Sequence, residues 1–415
     1  MLKMYFSLIA LFLVTSCSNE KSSIISEWRG PERSGIYPDT GLLDTWPEEG
    51  PEELWSINGI GNGYGSPVFA GDYFFITGET DSMIILSCYT LNGRELWKST
   101  LGKEWIKTNP GSRSAPTIEG DLIYTVSGMG NIYCVSRHNG EIIWSRSFED
   151  DARGIPTMHG FTEAPVIDDE RVFWVPGGTL INAAALNRFT GEIIWSSEGF
   201  GERSGYNQGL LIKLPGRNIF VTFSAYHLMG FDSETGRMLW SQEQDNIPPG
   251  ERKLGLGDTH SNSVIYSDGA IYYAAGDGNC GVKLSLSDNG AQITEVWRNK
   301  GFDSYMGGIV KIGDYIYGDG TARPGLKSIN ASTGKLIDSL RIGSGTVIAA
   351  DNKLYYYSQQ GSLYLVGFSE GKMKVLSSFR ITKGTSQHFA HPVIYRGILY
   401  QRHGNTLMAF DIRER

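Results

Sequence analysis

Between residues 51 and 411 the chain alternates apolar and polar positions in short runs, each broken by a turn rich in glycine or aspartate. A period of two over a handful of residues marks a half-buried strand, because successive side chains leave the backbone on opposite faces. No long stretch keeps the 3.6-residue apolar period of a helix, so the pattern predicts an all-β fold. The runs also recur as a unit. Its tail is best preserved in Asn92-Gly93-Arg94-Glu95-Leu96-Trp97, Asn139-Gly140-Glu141-Ile142-Ile143-Trp144, Thr190-Gly191-Glu192-Ile193-Ile194-Trp195 and Thr235-Gly236-Arg237-Met238-Leu239-Trp240. The glycine permits a positive φ in a tight hairpin, and the strand after it ends on a ring large enough to cover the neighbouring unit.

The heads of the units are Ser66-Pro67-Val68, Ala115-Pro116-Thr117, Ala164-Pro165-Val166, Gln208-Gly209-Leu210, Asn262-Ser263-Val264, Gly307-Gly308-Ile309, Gly345-Thr346-Val347 and His391-Pro392-Val393, eight in all. Later tails drift: Asp338 stands where the sixth tryptophan belongs, Ser377-Ser378-Phe379 replaces the seventh, and the eighth unit stops at Asp411 after its third strand. Glu53-Leu54-Trp55 is a tail with no head before it, so residues 51–57 are expected to complete the last sheet. A lone unit would leave a sheet edge and an apolar flank open, and closure into a ring hides both. The expected fold is an eight-bladed β-propeller of four-stranded antiparallel blades, closed by one N-terminal strand. Residues 18–50 are expected to form a tether and then an extended arm packed on the ring.

Ahead of the repeats, Lys3 precedes an apolar run from Tyr5 to Val14, followed by Thr15-Ser16-Cys17. That run is too short to span a membrane and has the layout of a secretory signal. Its Val-Thr-Ser-Cys ending resembles a bacterial lipobox, which implies cleavage after residue 16 and lipid on Cys17. The expected division is a signal peptide at 1–16, a lipidated tether and arm at 17–50, and the propeller at 51–415, anchored to a membrane of the bacterial cell envelope. Ser18 resembles the residue that permits sorting to the outer membrane. Export permits disulfides, but Cys88, Cys134 and Cys280 form an odd set with no two adjacent, and the first two read as small buried side chains.

Composition narrows the function classes. The 415 residues carry 37 Lys plus Arg against 45 Asp plus Glu, a net charge of −8. An acidic chain of this kind does not bind nucleic acid through a basic surface. A monomer is expected.

In such a ring the residues just before each head face a common funnel. The candidates there are Arg113, His159, Glu163, Arg203, Tyr206, Asn207, His260, Tyr305 and His388. Convergent donors and acceptors in a concavity are where small ligands bind, and Arg113 with Arg203 offers paired N–H donors to an anion. His388 and His391 stand three apart, which on a strand sends the rings to opposite sides rather than to one metal. Gly276-Asp277-Gly278 and Gly318-Asp319-Gly320 read as turns, and Gly367-Phe368-Ser369-Glu370-Gly371 reads as a hairpin rather than a nucleophile elbow.

The stretch from Ala185 to Trp195, and its partner from Gly230 to Trp240, resemble the tryptophan-docking repeat of the pyrroloquinoline quinone (PQQ) propeller superfamily, over roughly residues 50–411. With the arm Trp28-Arg29-Gly30-Pro31 to Trp55 and the segments Arg113–Thr117 and Gly160–Pro165, the chain looks like a secreted PQQ-like repeat family. The superfamily also holds quinoprotein alcohol dehydrogenases and the propeller lipoprotein of the outer-membrane β-barrel assembly machinery. The resemblance implies either a non-catalytic propeller that binds an envelope protein, a glycan or a small molecule, or a dehydrogenase that oxidises an alcohol or sugar with PQQ and Ca²⁺. Those enzymes carry two adjacent cysteines and a Glu, an Asn and an Asp around Ca²⁺. The chain has no such cysteine pair, and Glu163 is a candidate carboxylate for such a site with no Asn or Asp assigned beside it. The expectation is therefore the non-catalytic protein, with no cofactor.

Overall fold

The computed structural model describes residues 24–243, 248–253, 262–275, 280–304 and 306–414. The expected signal peptide, Cys17, Gly276-Asp277-Gly278, His260 and Tyr305 lie outside them. Runs rich in Val, Ile, Tyr and Phe pair into eight antiparallel sheets, the blades of a propeller. Among the described residues helix is confined to the short turns Pro31–Arg33, Phe148–Ala152 and Pro249–Glu251. Blade 3 shows the plan: Ile167–Asp168 innermost, then Arg171–Trp174, Ala183–Asn187 and Ile193–Ser197 outermost. The last blade joins Val393–Tyr395, Ile398–His403 and Thr406–Asp411 to Glu52–Asn58 from the start of the chain, so the ring closes as the orphan tail requires. Arg402 seals that junction, donating to the carbonyls of Gly61, Gly65 and Thr77 from within the protein interior.

One irregularity repeats in every blade. The outer strand carries an extra residue just before the docking position, so that Ala185 faces Trp195 while Leu186 faces Ile193, and Ile194 bulges outward. The bulge turns the next side chain onto the following blade. Trp195 Nε1 donates to the Ser233 carbonyl at 2.9 Å, and Trp144 and Trp97 bond Arg188 and Arg137 in the same way. Each ring lies against the turn glycine of the next unit. A Cβ on Gly236, where φ is +73°, would sit 2.5 Å from the Trp195 ring.

The two deviant tails are replaced differently. In blade 6, Asp338 accepts the Met373 N–H at 2.8 Å, so a carboxylate caps the turn that a tryptophan would have covered. In blade 7 the row Tyr355–Leu365–Ser377 corresponds to Phe173–Ala185–Trp195 of blade 3. There the missing ring comes from the arm: Trp46 packs 5.9 Å from Tyr355 and 5.4 Å from Phe379, and its backbone N–H donates to Ser377 Oγ.

The rest of the arm does not lie on the outside of the ring. Ile24–Ile25 pairs antiparallel with the inner strand of blade 1, opposite Ala70 and Phe69, and climbs the central channel from its base. Ile36 pairs in parallel with Ala349 of blade 7, which returns the chain to that base. Between them the hairpin is held by two buried arginines. Arg29 donates to the carbonyls of Val347 and Ile309, in blades 7 and 6, and Arg33 to those of Ala164, Pro165 and Gly209, in blades 3 and 4. Arg33 is also paired with Glu27 at 2.9 Å. The inner edges of the blades expose unpaired backbone groups toward the channel, and the arm satisfies a share of them.

Candidate ligand site at the channel mouth

The loops that lead into the inner strands define the mouth face. Beneath them Trp28, at the tip of the arm, packs on Ala115 and Ala164, the heads of blades 2 and 3. Its ring meets His391 edge-on at 5.0 Å. Both nitrogens of His391 are engaged, Nδ1 with Arg29 Nη1 and Nε2 with the Met306 carbonyl, each at 3.2 Å. Since Arg29 only donates, Nδ1 accepts and Nε2 carries the proton. Burial, and then the Arg29 charge, hold that imidazole well below its usual range, in keeping with the neutral form.

Above this floor lies a cavity of about 150 Å³, walled by Trp28, Tyr64, Asn109, Arg113, His159, Thr162, Tyr206, Gln208, Met306, Phe389 and His391. Of the nine funnel candidates, Arg113, His159 and Tyr206 come together here. The Tyr206 hydroxyl accepts from the backbone N–H groups of Met158 and His159, at 3.0 and 3.2 Å, and fixes the loop above it. The Arg113 guanidinium, set over Tyr64, spends its N–H groups on the carbonyls of Thr108, Asn109 and Gly111, at 2.6, 2.6 and 2.7 Å. It therefore shapes its own loop. Burial lowers its pKa, against the pull of Glu104 nearby.

The other described candidates point elsewhere. Asn207 follows Tyr206 directly, so the extended backbone turns its side chain the other way, where it accepts the Phe223 N–H. Glu163 is buried in blade 3 with Oε2 accepting the Val175 N–H at 3.0 Å. Arg203 reaches the Tyr226 hydroxyl at 3.0 Å, outside the cavity wall, and so does not join Arg113 around one anion. His388 faces the Tyr357 hydroxyl and stacks 3.8 Å from His403, while His391 faces the channel. Burial, then the neighbouring His403, push His388 down to about 4. Gly318-Asp319-Gly320 is no turn: it ends the strand Tyr315–Gly320, and Asp319 is buried against the Ser304 hydroxyl. The apolar run Tyr315-Ile316-Tyr317 ahead of that triplet carries the strand into it.

Glu163 gives a test of this burial. Loss of solvation pushes its carboxyl up to about 8, opposed by the Val175 N–H and Arg33. An acid whose folded pKa lies above its unfolded value favours folding fully below the unfolded pKa, near 4.5, and loses that advantage as pH rises through the folded one. Unfolding free energy should therefore fall by about 3 to 4 kcal/mol between about pH 5 and about pH 8 on account of this group. Glu163→Gln should flatten that slope in denaturant titrations. An unchanged slope would show that the carboxyl is not buried as described.

PQQ and Ca²⁺ do not fit this wall. No carboxylate lines the cavity among the described residues, so a hard dication lacks an anionic ligand, and the one guanidinium there is already bonded to carbonyls. The volume also lies below the range of about 300–1,000 Å³ typical of cofactor pockets. Cys88, Cys134 and Cys280 are free thiols buried in separate places.

The family model for the outer membrane protein assembly factor BamB matches residues 82–338. The chain belongs to the BamB family. Among solved structures, BamB from Moraxella catarrhalis superposes with a TM-score of 0.65 at 12% identity, over 87% of this chain and 99% of that one. A europium-containing methanol dehydrogenase superposes at 0.67 and 11% identity, over 93% of this chain and 91% of that one. The quinohemoprotein alcohol dehydrogenase of Comamonas testosteroni gives 0.50 at 12% identity, over 95% and 81%. At such identities these likenesses establish the propeller and leave the chemistry to the residues. No curated protein matches the sequence.

Proposed function

We propose that this BamB-family propeller is a non-catalytic, lipid-anchored docking protein of the bacterial outer membrane, and that its mouth face binds a protein partner. The observation that carries the reading is a set of apolar side chains on neighbouring mouth-face loops. Ile106, Ile155, Met158, Leu180 and Phe200 are all more than a third exposed, Leu180 by 53%. The loops touch in sequence around the face: Thr108 donates to the Met158 carbonyl, and Gly178 and Gly201 pack on Gly154 and Thr179. An apolar patch beside a concave mouth is a signature of protein docking, whereas scattered exposed side chains would need no explanation.

The anchor fits the same reading. Cys17 stands seven positions before Ile24, where the arm enters the base of the channel. Lipid on Cys17 would hold the base toward the membrane and turn the mouth face away from it. The cavity wall gives no support to a PQQ-dependent dehydrogenase, so no cofactor enters this proposal.

The test uses the lipidated protein in membranes of its own host. Ile106→Asp combined with Leu180→Asp should weaken a cross-linked partner by about 30-fold, the effect of losing about 2 kcal/mol at a hot spot. Lys213→Glu, on the base face, should leave it in place. A partner that survives the mouth-face pair and is lost with the base-face change would overturn the assignment.

A further inference from the structure

The mouth cavity itself has a size and a chemistry that select an occupant. Its volume of about 150 Å³ matches cavities known to admit one benzene molecule. Trp28, Tyr64, Tyr206 and Phe389 supply rings around it, and Met306 adds a thioether, a favourable neighbour for an aromatic edge. Charged occupants are disfavoured on both sides. A cation would meet Arg29 and Arg113, whose guanidinium carbons already lie 5.4 Å from the Trp28 ring and 5.7 Å from the Tyr64 ring. An anion would find the donors of both arginines bonded to backbone carbonyls. A sugar would need several hydrogen bonds, yet Gln208 is spent at both ends, on the Ala164 N–H and the Thr162 carbonyl.

The surroundings say how the ring arrives. Met158, one of the exposed apolar residues, is hydrogen-bonded through its backbone to Tyr206 of the wall, so cavity and patch form one continuous surface. A protein lying on Ile106 and Met158 has a cavity of about 150 Å³ beside it, room for one ring. We propose that the cavity is the anchor pocket of the docking face and takes one neutral six-membered aromatic side chain, of phenylalanine or tyrosine, from the protein partner. The assignment of the partner rests on the docking function proposed above; the chemistry of the pocket does not.

Two measurements separate these. In the first, the purified lipidated protein in detergent is titrated with p-cresol, toluene, n-butylammonium and butyrate, followed by ligand-observed NMR and by the methyl resonance of Met306. p-Cresol and toluene should bind saturably and shift that methyl, and the two ions should not. Met306→Trp, which offers the pocket a ring of its own, should weaken the probes at least tenfold without lowering the melting temperature, and Phe389→Ala should weaken them through loss of a wall. In the second, Met306→Trp is carried into the host-membrane cross-linking, where partner binding should fall at least tenfold. Absence of p-cresol binding, or equal binding of the two ions, overturns the pocket chemistry. Probe binding with an undiminished partner in Met306→Trp overturns the anchor role, even where the apolar rim substitutions still release the partner.

Discussion

Arg33→Met is expected to lower the unfolding free energy by about 3 kcal/mol, toward the low end of what breaking a buried ion pair costs. Methionine keeps most of the volume, so the loss is not chiefly that of a cavity. The carbonyls of Ala164 and Gly209 lose their donor inside the channel, that of Pro165 keeps only the Thr117 hydroxyl, and the Glu27 carboxylate loses its counter-charge. Glu27 keeps 29% exposure of its side chain, which is why the low end applies. Adding Glu27→Gln should recover about 1 kcal/mol, because the uncompensated charge is gone while the Ala164 and Gly209 carbonyls remain unpaired. Equilibrium denaturation of the three proteins measures both numbers. A loss below about 0.5 kcal/mol, the scale of an ordinary surface change, would mean that the hairpin is not held by Arg33. The same variant links stability to the site: Trp28 floors the mouth cavity from the tip of that hairpin, so loosening it should also weaken p-cresol binding.

The ring was legible because its signal is local and repeated. Glycine-to-tryptophan spacing, turn chemistry and strand alternation each lie within a dozen residues, and their repetition counts the blades. The arm was legible as an arm and not as a plug. Nothing within Ile24–Ser34 says which surface accepts it, because its partners on the ring lie between 44 and 363 positions away, as with Ile25 to Phe69 and Trp28 to His391. One clue was present and unread. Trp46 is a tryptophan outside the repeat, and blade 7 is a blade without one; the two vacancies answer each other.

The site was legible by position more than by role. Tyr206 and His159 were found because residues before a head do face the funnel, and Asn207 was lost to the alternation that sends its neighbour inward. Arg113 illustrates a harder limit. A sequence shows a guanidinium near a mouth, but whether its N–H groups remain for a ligand depends on three carbonyls that the loop happens to fold around it. Phe389 and Met306 carried no signal beyond lying next to a candidate or a head, and Gln208 none beyond opening the fourth head. Trp28 carried one, in the Trp-Arg-Gly-Pro turn that ends the climb of the arm.

Trp195→Ala is expected to cost about 3 to 5 kcal/mol, the range for removing a large buried ring, and Gly236→Ala about 2 to 3. The second figure combines two effects. A φ of +73° is unfavourable for alanine, by about 1 to 2 kcal/mol, and the new methyl carbon would stand 2.5 Å from the Trp195 ring. Once that ring is absent the collision disappears and only the backbone strain remains. The double substitution should therefore be less damaging than the sum of the singles, by about 1 to 2 kcal/mol, where independent sites would add to within about 0.5. Denaturant unfolding of the four proteins of the cycle decides it, and strict additivity would show that the two residues do not meet. Trp240, five residues along the same tail from Thr235, should show no coupling to Gly236, since its indole bonds the Gly290 carbonyl of the next blade. A repeat that reads as one motif in the sequence is thus divided between two interfaces: its glycine receives the tryptophan of the blade before, and its own tryptophan is delivered to the blade after. That division is why the spacing recurs, and why a blade that loses its tryptophan carries a substitute at the same interface, Asp338 of its own tail in blade 6 and Trp46 of the arm in blade 7.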